Sequence, residues 1–448
     1  YSVFDTLRRH LRRIIGRIWC CGRPLRILDQ ATSGRERQRH SDTWAWRYSR
    51  PARQRDAELG GRILGSTLEH VIKKIVILGS TGSVGTQTLD IVRAFPELLE
   101  VVGLCNGRNT DLFKKQIDEF KPAYFNSLGE VESEYGGAKF APAEDIVALP
   151  SVDLVMAATV GCAGMPPAIA ALRAGKDLAL ANKEVIVMAG RLLINAAKSG
   201  GSKILPADSE PSAIWQCLEG EASDPSRLII TASGGAFRDR TWDSLGDVTP
   251  EQALKHPTWK MGPKITVDSA TLMNKAFEVI ESRWMFDIPF EQIDVTIHHQ
   301  SIVHSMVEFV DGTLKAQLGP TSMLQVIQHA LLYPERHANG SLPKLDAVKM
   351  GSLTFEEMDQ SLYPCFKLGL EYGKKGGTYP AVLAGADEAA VQLFLDGKIK
   401  FTQIPDLVDR TLSAHESIAM PSIEDTIEAA SWAAETTLIH HNHSTILS

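Results

Sequence analysis

From residue 73 onward, apolar and polar positions alternate between two rhythms. Short, nearly unbroken apolar runs stand at KKIVILG (73–79), EVVGLCN (100–106), VDLVMAAT (152–159) and DLALAN (177–182). Such runs are too short for core helices and too continuous for strands with one wet face, so they predict strands buried on both sides. Between them, TQTLDIVRAFPELLE (86–100), DLFKKQIDEF (111–120) and MPPAIAALRAG (165–175) carry apolar residues every three to four positions. The last has proline near its start and glycine at its end, the usual punctuation of a helix. Strand–helix alternation of this kind predicts a parallel, doubly wound sheet over residues 71–205.

The rhythm changes over residues 206–332. RLIITASGG (227–235) reads as a strand ending in a glycine pair, and SATLMNKAFEVIESRWMF (269–286) as a helix opened by Asp268-Ser269. DVTIHHQSIVHSMVEFVDGTLKAQLG (294–319) reads as long strands folded at Asp311-Gly312. Proline-containing residues 333–361 read as a linker, and residues 362–448 as mainly helical. The expected fold class is α/β: a Rossmann-like domain (71–205), an α+β domain (206–332), and a C-terminal helical domain (362–448).

Composition changes this picture at one place. The net charge of the 448 residues is -7, yet residues 1–70 hold 15 Arg, no Lys and 7 acids, a balance of +8 that leaves the remainder near -15. Lysine first occurs at Lys73 and methionine at Met156. This Arg-rich leader is read as translated sequence upstream of a start at Val71, with no function of its own. An organelle transit peptide is the alternative, since LRRHLRRIIGRIW is amphipathic; no motif in the leader supports nucleic-acid binding. The six cysteines are scattered without a CxxC pair, which fits a reducing compartment, and no apolar run approaches the ~20 residues of a membrane span.

Two stretches carry candidate chemistry. ILGSTGSVG places Gly79, Gly82 and Gly85 between a strand and a helix, where glycines let backbone approach a pyrophosphate lying on a helix N-terminus. The second strand ends in CNGRN, which lacks the acid that holds a ribose 2′-hydroxyl and offers Arg108 instead, with Ser83 and Asn109 beside it. A guanidinium suits a 2′-phosphate, so NADP is favoured over NAD. The second stretch is LPADSEPSA, which sets Asp208 and Glu210 at the end of a strand. Like charges repel unless a proton or cation joins them; the plainer alternative is a cap for a helix starting near Ser212. Farther on, Asn274, Lys275 and Glu278 share one helix face opposite Leu272, Ala276, Phe277, Ile280 and Trp284. By themselves they are consistent with a solvated ion pair.

GSTGSVGTQTLDIV, ALANKE, ADSE, ASGGAF, HPTWKMG and VDSATLMNKAFE, in this order, resemble the 1-deoxy-D-xylulose 5-phosphate reductoisomerase family. The resemblance runs from about Lys73 to near the C-terminus and excludes the leader. It implies an NADPH-dependent oxidoreductase of isoprenoid precursor synthesis, which converts 1-deoxy-D-xylulose 5-phosphate to 2-C-methyl-D-erythritol 4-phosphate. The carbon skeleton rearranges by retro-aldol and aldol steps before the aldehyde is reduced. Asp208, Glu210 and Glu278 match the family's ligands for Mg2+ or Mn2+ (Co2+ being a further possibility), and oxygen-only ligands suit these ions. Lys183 matches a residue at the reacting oxygens. Ser233, Ser269, Asn274 and Lys275 match phosphate contacts, while Ser209 and His256 match other substrate contacts. Trp259 and Met261 match a mobile flap. Cofactor contacts fall on Thr81, Gly82, Ser83, Val84, Gly107, Arg108, Asn109, Asn182, Glu184 and Gly262.

The resemblance also implies a homodimer formed through the second sheet, a bacterial cytoplasmic location (plastid if the leader is a transit peptide), and neither nucleic acid nor membrane as partner. His298, His299 and His304 are expected to serve structure or the dimer interface rather than zinc, by strand alternation. The chain departs from the family pattern at His299, where proline is usual, at Ser322, Leu324 and Val326, at Pro211, and in LAGADEAAV, which replaces an Asn-rich form.

Overall fold

The computed structural model describes residues 72–447, so the expectations for the Arg-rich leader lie outside the described residues. Eight strands form the first sheet: β1 (Lys73–Leu78), β2 (Leu99–Asn106), β3 (Tyr124–Ser127), β4 (Glu134–Tyr135), β5 (Ala138–Phe140), β6 (Leu154–Ala157), β7 (Asp177–Leu180) and β8 (Ile204–Pro206). Their order is β4-β5-β3-β2-β1-β6-β7-β8, and only the β4–β5 edge pair is antiparallel. Ile75, Val76, Ile77, Val155, Met156 and Ala179 are wholly buried, as continuous apolar strands require. Helices α1 (Ser83–Ala94), α2 (Thr110–Phe120), α3 (Met165–Arg173) and α4 (Lys183–Gly200) connect the strands. Strand order reverses between β1 and β6, and the glycine turn at residues 79–82 opens at that switch point, where ligands of such sheets bind.

After α5 (Ser209–Leu218) the chain enters a mixed five-stranded sheet of order β12-β11-β9-β10-β13. Its strands are β9 (Pro225–Ala232), β10 (Ile293–Ile297), β11 (Val303–Phe309), β12 (Leu314–Leu318) and β13 (Glu356–Glu357). The expected hairpin is present: β11 and β12 pair antiparallel around a turn in which Gly312 has φ +81. The stretch read as linker is less plain than expected, because β13 pairs with Thr296 and Ile297 of β10.

Two helix starts differ from expectation. The helix after the acidic pair begins at Ser209, with Asp208 as its N-cap, rather than near Ser212. Pro211 falls in its first turn, where a missing N–H leaves no bond unmade. The segment expected to form one helix from Asp268 is two: α6 (Pro263–Thr271) and α7 (Met273–Phe286), separated by Leu272 at φ 56. Pro263 directly after Gly262 starts the first of them, so the Asp268-Ser269 pair lies inside a helix.

Past α8 (Met323–Leu332), capped by Ser322, and a single turn at Ala347–Met350, four longer helices follow among the described residues: α9 (Pro364–Lys375), α10 (Tyr379–Leu395), α11 (Ile404–Ser413) and α12 (Ile423–Leu447). Helix α10 is buried almost throughout, packing on α11 and α12 and also on α4 and α6. At Gly385 a Cβ would stand 2.2 Å from the Ala430 carbonyl oxygen, so α10 and α12 cross backbone to backbone. Among the described residues no helix is long and apolar enough to cross a membrane.

Candidate active site

Strand β8 ends at Pro206, and Asp208 follows with extended backbone, one side-chain oxygen accepting the Ser209 N–H at 3.0 Å. Glu210 projects from the first turn of α5. Helix α7 brings Glu278, 70 positions farther along, to the same point: ligand oxygens of Asp208, Glu210 and Glu278 all lie within 4.8 Å of one another. Capping and clustering are therefore not alternatives. Asp208 caps with one oxygen while the other faces Lys183 at 2.7 Å.

Two buried lysines interleave with the three carboxylates. The Lys183 ammonium stands 3.1 Å from Glu278, and that of Lys275 stands 2.8 Å from Glu210 and 2.6 Å from Glu278. Asn274 accepts from Lys183 at 2.7 Å and donates to Glu278 at 2.6 Å. The face read from sequence as consistent with a solvated ion pair is thus mostly buried, and nearly the whole of α7 is enclosed. Burial alone would lower the Lys183 pKa, but the Asp208 and Glu278 carboxylates outweigh it and hold Lys183 well above its ordinary value. Burial also opposes ionisation of Glu210, yet Lys275 and Lys183 bring it down to about 2. Glu278 goes the other way, to about 7, through burial and the neighbouring Glu210 charge. Three converging carboxylates offering only oxygen fit a divalent cation.

A second group of donors lies across the cleft. The positive-φ pair Gly234-Gly235 turns the chain after β9 and lets it approach α6, since a Cβ on Gly235 would meet the Ser269 carbonyl oxygen at 2.5 Å. Ser233 and Ser269 are thereby gathered around His256, whose Nε2 is 3.0 Å from the Ser233 hydroxyl and 3.2 Å from that of Ser269. His256 Nδ1 accepts the backbone N–H groups of Thr258 (3.2 Å) and Trp259 (2.9 Å). Backbone N–H groups only donate, so Nδ1 is bare and Nε2 carries the proton. Burial, then the Arg238 and Lys275 charges, lowers the His256 pKa to about 4.

These groups line one cleft of about 560 Å³, which also takes in Ser83 and Val84 beyond the glycine turn and the loop residues Trp259, Met261 and Gly262. The turn itself tolerates little bulk: a Cβ on Gly79 would lie 2.4 Å from the Ala158 carbonyl oxygen, and one on Gly85 would lie 2.2 Å from that of Gly79. Gly82, the N-cap of α1, is exposed, and Thr81 half-buried beside it. Gly107 and Arg108 follow β2, the neighbour of β1, with Arg108 exposed; Asn109 caps α2 through the Leu112 N–H. This close backbone cradle at a helix start, with an exposed guanidinium beyond the adjacent strand, fits a dinucleotide phosphate.

Asn182 and Glu184 do not line the cleft, and neither do Thr81, Gly82, Gly107, Arg108 and Asn109. Asn182 is buried, caps α4 and donates to Thr159 and to the Gly161 carbonyl, which leaves it a structural part beneath the site.

Sequence reasoning missed two site features. His304 was grouped with His298 and His299, but it lines the cleft, its ring 5.9 Å from that of Trp259. His298, by contrast, accepts the Ile302 and Val303 N–H groups and bonds the Thr354 carbonyl, and His299 holds the Ser233 carbonyl at 3.0 Å. Glu281, one turn beyond Glu278, is wholly buried with neither oxygen hydrogen-bonded, and burial and the Asp208 charge raise its pKa well above the ordinary carboxylate range. Its spacing from Glu278 was the available signal.

Three sequence-family models match the chain: 1-deoxy-D-xylulose 5-phosphate reductoisomerase over residues 75–190, and two C-terminal domains of that enzyme over 204–286 and 318–436. The 1-deoxy-D-xylulose 5-phosphate reductoisomerase of Pelotomaculum thermopropionicum is 48% identical over 375 residues, covering 81% of this chain and 97% of the relative. That of Chlorobaculum tepidum is also 48% identical, covering 82% and 98%. Among solved structures, the Zymomonas mobilis enzyme in complex with NADPH superposes with a TM-score of 0.76 at 36% identity, covering 83% of this chain and 99% of that one. A DOX-P reductoisomerase in complex with NADPH, fosmidomycin and magnesium also gives 0.76, at 34% identity over 83% and 98%. With three converging carboxylates in a cleft that reaches Ser83 and Val84 just after the glycine turn, and relatives matched over nearly their whole length, the chain belongs to the 1-deoxy-D-xylulose 5-phosphate reductoisomerase family.

Proposed function

We propose that this cleft carries out the NADPH-dependent conversion of 1-deoxy-D-xylulose 5-phosphate to 2-C-methyl-D-erythritol 4-phosphate, with Asp208, Glu210 and Glu278 holding one Mg2+ or Mn2+ ion. The observation that carries the proposal is the convergence of three carboxylates, distant in sequence, in a cavity that also reaches Ser83 and Val84 at the start of α1. Solved relatives bound to NADPH and magnesium support it. When bound, the cation draws electron density from substrate oxygens and the nicotinamide supplies hydride.

The chain's own groups do the rest. Lys183, within 2.7 Å of Asp208 and 3.1 Å of Glu278, stabilises negative charge on substrate oxygens. The Ser233 and Ser269 hydroxyls and the His256 Nε2–H form a donor set for the phosphate, with Lys275 adding charge and Asn274 and Ser209 orienting their neighbours. Trp259 and Met261 exclude water above the reacting atoms. Arg108 receives the 2′-phosphate of NADPH, with Thr81 to Val84, Gly107, Asn109 and Gly262 along the cofactor. Exposed Leu314 and Leu318 on edge strand β12 support a homodimer formed through the second sheet; a bacterial cytoplasmic location is part of the same reading, its support being that the relatives are bacterial. Loss of NADPH absorbance on adding deoxyxylulose phosphate, dependent on Mg2+ or Mn2+, is the expected result. Equal rates with a chelator present would remove the metal from the mechanism.

A further inference from the structure

A second buried charge cluster lies behind the flap, outside the residues assigned above. Lys264 is the second residue of α6, immediately after the flap, where a cation opposes the helix dipole. Its ammonium is 2.5 Å from Asp268, one turn on in the same helix, and 2.9 Å from Asp387 on α10. Asp268 and Asp387 are both buried, and the Lys264 ammonium also stands 5.1 Å from the centre of the Phe277 ring on α7. Glu184 of α4 and Glu388 of α10 act on the same cluster by charge, and Cys365 of α9 faces it. One lysine therefore touches the start of α6, which carries Ser269, the helix that carries Asn274, Lys275 and Glu278, and the C-terminal helical layer. Burial and the Asp387 charge raise the Asp268 pKa well above the ordinary carboxylate range.

We propose that Lys264 is a positioning residue that, clamped between Asp268 and Asp387, ties the hinge of the flap to helix α10 and thereby sets affinity for the phosphorylated substrate. This rests on the assignment of Ser269 and the flap to substrate binding. Nothing else links the flap hinge to α10 by an ion pair among the described residues. An unclamped hinge leaves Ser269 and Trp259 free to drift, which weakens the grip on phosphate before it touches the cofactor cradle.

The test compares wild type, Lys264→Met, and Lys264→Met combined with Asp387→Asn. The single variant strands a buried carboxylate and is expected to lower Tm. The double variant removes that charge and is expected to recover most of the loss. Both are expected to raise KM for deoxyxylulose phosphate by about tenfold, with KM for NADPH within about twofold. Hydrogen–deuterium exchange of residues 254–262 is expected to quicken by about tenfold in both. A double variant that regains wild-type KM and flap protection together with Tm would reduce the cluster to bulk stability and overturn the proposal, as would unchanged KM and exchange in Lys264→Met. If wild type itself fails to oxidise NADPH with this substrate, the functional reading is lost. The exchange arm needs no turnover and still judges the hinge.

Discussion

His256→Phe is the sharpest probe of how the flap and the phosphate donors are coupled. Phenylalanine fills the space of the imidazole but offers no nitrogen. The Thr258 and Trp259 N–H groups lose their acceptor, and the Ser233 and Ser269 hydroxyls lose the Nε2 that gathers them. Two neutral hydrogen bonds at about 1 kcal/mol each make about 2 kcal/mol, or roughly a 30-fold shift against the ordered flap. KM for deoxyxylulose phosphate at pH 8 is expected to rise by roughly that factor, with KM for NADPH little changed. Wild type should show a related pH effect. The folded pKa of His256, about 4, lies below its ordinary 6.5. The neutral ring therefore contributes stability that is present above pH 6.5 and lost as pH falls toward 4. The full shift corresponds to about 3 kcal/mol, and solvent screening of this half-buried ring reduces it to roughly half. Protonated Nδ1 can no longer accept from the flap, so KM for substrate is expected to rise only as pH approaches 4 in wild type, and much less in the Phe variant. Steady-state kinetics from pH 4 to 8, with Tm at each pH, make the measurement. A Phe variant with wild-type KM at pH 8, or with the same acid rise in KM, would refute the reasoning.

Glu278→Gln keeps the size of the side chain and removes one of three ligand charges; metal affinity is expected to fall by about 100-fold or more while NADPH affinity holds, read from Mg2+ and Mn2+ titrations of activity and calorimetry. Wild-type metal dependence in that variant would leave Asp208 as a helix cap only. Gly85→Ala drives a Cβ into the Gly79 carbonyl and is expected to weaken NADPH binding at least about tenfold, by fluorescence titration, with substrate contacts intact. Arg108→Ala is expected to cut the NADPH-over-NADH preference by about tenfold; an unchanged ratio would move the 2′-phosphate elsewhere.

Sequence alone determined whatever depends on neighbours in the chain. The unbroken apolar runs of β1, β2, β6 and β7 specified a parallel sheet, because only strands covered on both faces can be apolar throughout. The Gly79–Gly85 spacing specified a tight phosphate-type turn, since no side chain fits at its ends. Asp208 and Glu210 stood out as an unexplained like-charge pair, and the order of the motifs carried the family. Tertiary structure decided what depends on distance through space. Glu278 and Lys275 sit on what periodicity alone reads as a wet helix face; packing buries α7 nearly all round, and desolvation turns a surface ion pair into the centre of the site. Leu272 breaks one predicted helix into two, since Pro263 and the close approach of Gly235 to Ser269 outweigh local propensity. His304 and Glu281 were unreadable in role because alternation and spacing say which way a residue points, while burial and nearby charge, set by elements far along the chain, decide what it does there.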